Sequence, residues 1–173
     1  MLCVKDHDDS LEITYDDMIK YHGRSFIAGV AIAAKLLELV TMVLTDGILV
    51  REHFHIVLGV NGPGIADGIE MATRAASGGR MSIDQKISQG KDAPEAADGQ
   101  NGKYYFVVTY GGRKMIIWLR HGLIPQRFLD LAAKTHDQTI TAAELVCLQQ
   151  LKEEIAARLI PMEAQRLFHY TLS

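Results

Sequence analysis

The spacing of apolar and polar residues along the chain predicts helices interleaved with a few short strands. In the first half, helical spacing covers residues 15–22, 25–45 and 65–76, and a β-branched run covers residues 54–60. Thr14, followed three positions later by Asp17, predicts a capping box at the start of the first helix. The first half therefore reads as two helices, a strand and a third helix.

The second half of the sequence predicts a long loop, a hairpin and a helical C-terminal part. The loop covers residues 80–103, and we interpret it as flexible or as a lid over a ligand site. Two β-rich segments on either side of Gly111 and Gly112 predict the hairpin. Thr141 and Glu144 predict a second capping box, at the start of a long amphipathic helix.

This order of elements predicts an α+β fold in which helices pack on a small, mixed and mostly antiparallel sheet. Residues 1–12 are mainly polar, and we expect them to form a flexible leader before a single domain over residues 13–173. In the long helix, Gly29 and Ala33 lie four positions apart, which predicts a smooth face that another backbone approaches closely. Two glycines in the turn at 61–64 are expected to have positive φ.

Composition and charge argue against several classes of protein. Apolar residues make up 48% of the chain and charged residues 23%, as in ordinary globular proteins. The net charge of −3, without a dense basic run, argues against a nucleic-acid partner. Cys3 and Cys147 match no disulfide or zinc pattern, so we expect a cytoplasmic protein. Lys35 and Glu38 interrupt the apolar stretch at 27–45, so we expect a buried helix and no membrane association.

Two candidate ligand sites lie at predicted helix starts. At the junction of the first two helices, His22, Arg24 and Ser25 lie beside a helix N-terminus, which favours anions. This junction suits a small anion or, through His22, a metal ion; the alternative is that His22 only fills a helix corner. The second candidate runs from Asn61 to Asp67, at the start of the third helix.

A third candidate is a metal site. His53 and His55 lie two positions apart at a predicted strand, which places both imidazoles on one face, with His121 as a third ligand. The alternative is a solvated strand face, because no Cys-x-x-Cys or His-Glu-x-x-His pattern accompanies the pair. Arg74, at the end of a predicted helix, is a further candidate for binding an anion.

Several segments, in order along the chain, resemble the signatures of one family. Residues 16–29 contain a short helix, a His-Gly pair and the start of a long apolar helix. Residues 67–70 and 73–80 contain a helix start and a Gly-rich helix end. Together with the hairpin and the closing segment, they make residues 12–170 similar to the FmdE-like proteins, a family that takes its name from a component of formylmethanofuran dehydrogenase.

The resemblance implies a fold and a metal site, and departures from the family pattern change that site. The implied fold has helices packed on a sheet, as in the catalytic domain of glyceraldehyde-phosphate dehydrogenases. The implied site binds zinc through histidines and cysteines, but Arg24 and Phe26 replace two of those ligands, so zinc would need others. The replacements favour an organic anion, clamped by Arg24 and packed against Phe26.

From the resemblance we expect an FmdE-like accessory protein that binds a small anionic ligand or a metal ion around His22 and Asp67. One alternative is an enzyme on a small anionic substrate, with His22 as acid and base and Asp67 orienting it. Another is a structural, dimeric partner of a redox enzyme complex. We expect a homodimer, because the apolar helix 25–45 exceeds what one small sheet covers.

The shared-site hypothesis requires the side chains of His22 and Asp67 to lie within about 8 Å of each other, the reach of one bridging water. The expected ligand-binding residues are His22, Arg24, Ser25, Phe26, Asn61, Asp67 and Arg74.

Overall fold

The computed structural model describes residues 1–96 and 102–173, which form six α-helices and two β-sheets. The helices are α1 (Tyr15–His22), α2 (Ile27–Leu44), α3 (Pro63–Thr73), α4 (Gln126–His136), α5 (Ala142–Leu159) and α6 (Ala164–Leu167). The strands are β1 (Leu2–Asp6), β2 (Asp9–Ile13), β3 (Ile48–Val50), β4 (Phe54–Val60), β5 (Met81–Ile83), β6 (Gly102–Tyr110), β7 (Arg113–Leu119) and β8 (Phe168–Leu172). The predicted α+β class is confirmed.

Both sheets are mixed, and most of the strand pairs in the two sheets together are antiparallel. The larger has the order β5-β4-β6-β7-β8, with one parallel pair between β4 and β5. The smaller has the order β2-β1-β3, in which β1 and β3 run parallel. The predicted hairpin is confirmed as β6 and β7, joined by Gly111 and Gly112 with φ of 54° and 83°.

The N-terminal segment differs from the flexible leader predicted over residues 1–12. These residues instead form β1 and most of β2, which pair from Leu2 opposite Ile13 to Asp6 opposite Asp9. Leu2 and Val4 are buried while the residues between them are exposed, the period of two that a half-buried strand requires. The mainly polar composition of the segment concealed this short alternation.

The predicted loop over residues 80–103 is also partly regular. Met81–Ile83 pairs with the edge of β4, and a 3₁₀ turn follows at Gln85–Ser88. A strand of three residues gives no periodic signal, which is why the sequence did not reveal it. Residues 97–101, with most of the expected glycine cluster at 99–102, lie outside the described residues.

Close packing of α2 on α3 confirms the expected approach of a backbone to Gly29 and Ala33. A Cβ on Gly29 would lie 3.1 Å from the amide nitrogen of Ile65, and one on Gly68 would lie 2.7 Å from the Cβ of Ala33. The turn at 61–64 corrects the expectation of positive φ: Gly62 has a φ of −124°, and Gly64 already lies in α3. Gly64 is needed for space, because a Cβ there would overlap the carbonyl of Phe26.

Helix α2 forms the centre of the core. It is long and apolar enough to cross a membrane, but 72% of it is buried inside this chain. Lys35, on the same helix, is buried and donates a hydrogen bond of 2.7 Å to Glu38. Because its own chain covers α2, the apolar surface on which we based the expected homodimer is not exposed, and a homodimer stays a prediction without that support.

Two arginines hold the C-terminal end of α3 against both sheets. The buried guanidinium of Arg51 donates to the carbonyl of Ala72 at 2.9 Å and to the Asp6 carboxylate of β1 at 2.5 Å. Arg80 donates to the carbonyl of Arg74 at 3.0 Å. Cations at a helix C-terminus satisfy its free carbonyls and complement its dipole. This arrangement fixes α3, whose other end contributes to the site described next.

Candidate functional site

The side chains of His22 and Asp67 meet, as the shared-site hypothesis requires. His22 ends α1, Asp67 lies in the second turn of α3, and Nδ1 of the imidazole is 2.7 Å from Oδ2 of the carboxylate. The His22 side chain is only 6% exposed. This contact ties the corner between α1 and α2 to α3.

The second imidazole nitrogen of His22 is not accessible. Within the part of the chain that the structure describes, Nε2 is buried and has no hydrogen-bond partner. The ring of Phe26 lies against the imidazole, edge to face, with the ring centres 5.8 Å apart. A metal ion or a substrate reaches Nε2 only if this packing opens. The geometry therefore fits a positioning role for His22 better than acid–base or metal chemistry.

Arg24 does not form the expected anion clamp. Its guanidinium is mostly exposed and pairs with Glu153 of α5, with Nε 3.0 Å from Oε1. The carbonyl of Arg24 also accepts a hydrogen bond of 3.0 Å from Gln149. Arg24 therefore docks α5 onto the corner between α1 and α2. The ion pair with Glu153 raises the pKa of Arg24 above its usual value.

The corner also positions a lysine that the sequence did not single out. Nζ of Lys152, on α5, donates a hydrogen bond of 2.6 Å to the carbonyl of Ser25 and lies 4.6 Å from the centre of the Phe26 ring. The interaction of an ammonium with an aromatic face is favourable. No motif surrounds Lys152, so only the tertiary packing of α5 against the corner identifies it.

An apolar cleft of about 420 Å³ opens beside this corner. It lies between the start of α2, the turn before α3, and the helical pair α4 and α5. Of the seven expected ligand-binding residues, Phe26 and Asn61 line it, whereas His22, Arg24, Ser25, Asp67 and Arg74 do not. Among the described residues that line the cleft, Lys152 is the one lysine, arginine, aspartate or glutamate. The cleft therefore combines apolar walls with a single amine.

Burial affects the ionisable groups of the cleft. It lowers the pKa of Lys152 below the usual lysine value. It raises the pKa of Tyr104, which also lines the cleft, to about 12, so this phenol stays neutral. The nearby carboxylate of Glu153 is already paired with Arg24. The Lys152 ammonium is thus available to an anion from the cleft.

Arg74 lies away from both the corner and the cleft. It caps the C-terminal end of α3 with a φ of 51°, seven residues beyond Asp67, or about 10 Å along a helix. Its NH1 is 3.7 Å from a carboxylate oxygen of Asp6. Arg74 was expected among the ligand-binding residues because it lies at the end of a predicted helix. The structure places it at the C-cap of α3, about two turns beyond Asp67.

The expected metal ligands His53, His55 and His121 do not form a group of three within the described residues. His53 lies in a 3₁₀ turn before β4 begins, so the strand rule does not place it beside His55. Nε2 of His121 is instead 2.9 Å from a carboxylate oxygen of Asp92. The alternative, a solvated strand face, describes His55 better because its side chain is exposed.

Comparison with family models and with curated proteins found no match for this chain. The resemblance to FmdE-like proteins therefore stays a prediction, and the chemistry of the site has to be argued from the chain's own geometry.

Proposed function

We propose that the protein binds a small organic anion in the cleft beside Phe26. The apolar body of the ligand lies between α2, α4 and α5, and its charged group meets the ammonium of Lys152. The observation that carries the proposal is the position of Lys152, which lines a mostly apolar cleft and whose Nζ is held in place by the carbonyl of Ser25 and the ring of Phe26.

The size and chemistry of the cleft support this proposal. Small-molecule sites usually have volumes of roughly 300–1,000 Å³, apolar walls and a few polar groups, and a volume of about 420 Å³ lies in that range. A half-buried lysine attracts an anion more strongly than a fully exposed one, because water screens the interaction less. The amide of Asn61 and the phenol of Tyr104 add neutral polar groups to the lining.

This proposal retains the small anionic ligand expected from the sequence but places it in the cleft instead of around His22 and Asp67. The ligand lies beside the pair of His22 and Asp67, and Lys152 replaces Arg24 as its charge partner. Such a binding protein is compatible with the accessory role that the FmdE-like resemblance implies. The enzymatic alternative receives less support, because the nitrogen of His22 that would act on a substrate is buried.

Two dyes of similar shape test the proposal. 8-Anilinonaphthalene-1-sulfonate carries a sulfonate, and N-phenyl-1-naphthylamine is its uncharged analogue. We expect the wild-type protein to bind both in the cleft, and Lys152→Met to lose about tenfold in affinity for the sulfonate dye alone, since a charged hydrogen bond contributes about 1.5 kcal/mol. Fluorescence titration measures both affinities.

Lys86→Met is the matched control. Lys86 is exposed and lies outside the cleft, so this variant has the same net charge as Lys152→Met with the cleft intact. Equal losses in the two variants would indicate general electrostatics. An unchanged affinity of Lys152→Met for the sulfonate dye would contradict the proposal.

A further inference from the structure

We infer that the ligand of the cleft is an elongated monoanion, a straight-chain carboxylate of about eight carbons, which lies in the groove between α4 and α5. The inference rests on the proposed function and specifies its ligand. It follows from the helical stripes of α4 and α5 that line the cleft and from the position of Lys152 at the end of one stripe.

Helix α5 lines the cleft along its length. Leu145, Leu148 and Lys152 are separated by three and four positions, so they form one stripe on the helix. The separation of seven positions between Leu145 and Lys152 corresponds to about 10.5 Å along the axis, which an extended chain of about eight carbons spans. The stripe is apolar except for the lysine at its end.

Helix α4 presents a matching stripe. Phe128, Ala132, Thr135 and His136 line the cleft, and the first three are separated by four and three positions. An ion pair between Lys134 and Glu144 joins the end of α4 to the start of α5. Arg158, near the end of α5, donates a hydrogen bond to the carbonyl of Leu123, just before α4, so the two helices run antiparallel. Phe128 therefore lies at the lysine end of the groove, and Thr135 lies at the end of Leu145.

The arrangement of charge fixes the direction of the ligand. A carboxylate at Lys152 places the chain along Leu148 toward Leu145, where the side chain of Leu145 is exposed at the end of the groove. A compact dianion would leave one charge among apolar side chains, which is costly. The groove between two helical stripes instead favours an unbranched chain.

A series of unbranched carboxylates from butanoate to dodecanoate tests the inference by displacement of N-phenyl-1-naphthylamine. In the wild-type protein, each added methylene should raise the affinity about fourfold, up to about eight carbons, and further carbons should add little, because they extend into solvent. Leu145→Trp should fill the far end of the groove and shift this plateau to shorter chains. Thr135→Trp, on α4, should have the same effect.

Val146→Trp is the control, because Val146 is exposed, adjacent in sequence and outside the lining of the cleft. It should leave the plateau unchanged, whereas circular dichroism should show native helix content in all three variants. An affinity independent of chain length, or a plateau that neither Leu145→Trp nor Thr135→Trp moves, would overturn the inference. If the sulfonate dye still binds through Lys152 in that case, the proposed function survives; if it does not, both fail.

Discussion

Lys152 extends from α5 across the face of Phe26, with Nζ 4.6 Å from the ring centre and 2.6 Å from the carbonyl oxygen of Ser25. An ammonium has three hydrogen-bond donors, and the carbonyl takes one of them. The contact between His22 and Asp67 ties the same corner to α3. The charge is therefore held in a defined place at the edge of an apolar cleft, as selective binding of an anion requires.

The affinity for an anion should fall at high pH. Burial lowers the pKa of Lys152 below the usual value of 10.5, and the protonated form binds the anion, so binding is full below this lowered pKa and is lost as the pH rises through it. The sulfonate dye keeps its charge over this range. We expect its affinity for the wild-type protein to begin falling toward that of Lys152→Met below pH 10.5. An affinity for the wild-type protein that stays constant to that pH would exclude an ammonium of lowered pKa as the charge partner.

His22→Ala should affect folding more than binding. The substitution removes a nearly buried side chain and its hydrogen bond to Asp67, so we expect the free energy of unfolding to fall by about 2 kcal/mol. Because His22 does not line the cleft, the affinity for the sulfonate dye should change less than twofold. Urea unfolding and dye titration measure the two effects. His55→Ala, an exposed control, should change neither; loss of dye binding without loss of stability would instead place His22 in the binding site.

Arg51→Met should destabilise the protein strongly. The Arg51 side chain is 5% exposed, and its removal leaves the carboxylate of Asp6 without its hydrogen-bonded cation and the carbonyl of Ala72 without its donor. Loss of one partner of a buried pair lowers the free energy of unfolding by about 3 kcal/mol. Arg74→Met is the control, since Arg74 is 66% exposed and 3.7 Å from the same carboxylate. Urea midpoints that fall equally in both variants would refute the structural role of Arg51.

At low pH, protonation of Glu144 should destabilise the start of α5. Hydrogen bonds from Lys134 and from Thr141 lower the pKa of Glu144 from 4.5 to about 2. Because the folded protein lowers this carboxyl pKa, the ionised Glu144 contributes stability at pH values above its usual pKa of 4.5. This contribution is lost as the pH falls from about 4.5 toward 2. Glu144→Gln should remove this part of the pH dependence of the urea midpoint. Glu154→Gln, an exposed carboxyl on the same helix, is the control; identical pH profiles of the wild type and Glu144→Gln would contradict the assignment.

Local signals predicted the elements of the fold that depend on neighbouring residues. Both capping boxes, at Thr14 and Thr141, are present, and the hairpin turns at Gly111. The strand at residues 2–6 was missed because its burial depends on pairing with distant residues 48–50. Short strands of this kind carry little periodicity of their own.

The candidate site also contains some contacts that the sequence predicted and others that depend on tertiary packing. The meeting of His22 and Asp67 was expected from the family resemblance, because each residue lies in one of its two signatures. Lys152 lies within a helix and is separated from Phe26 by 126 positions in the sequence. No local pattern indicates that the two residues meet. The sequence also could not show that Arg24 is paired with Glu153, because that ion pair forms only when α5 packs on the corner between α1 and α2.

A crystal structure of the protein with 8-anilinonaphthalene-1-sulfonate tests the central claim most directly. We predict that a sulfonate oxygen lies within about 3.5 Å of Lys152 Nζ, the limit of a hydrogen bond, and that the aromatic rings lie in the cleft against Phe26 and Leu148. A dye bound elsewhere on the surface, or in the cleft with its sulfonate away from Lys152, would contradict the account.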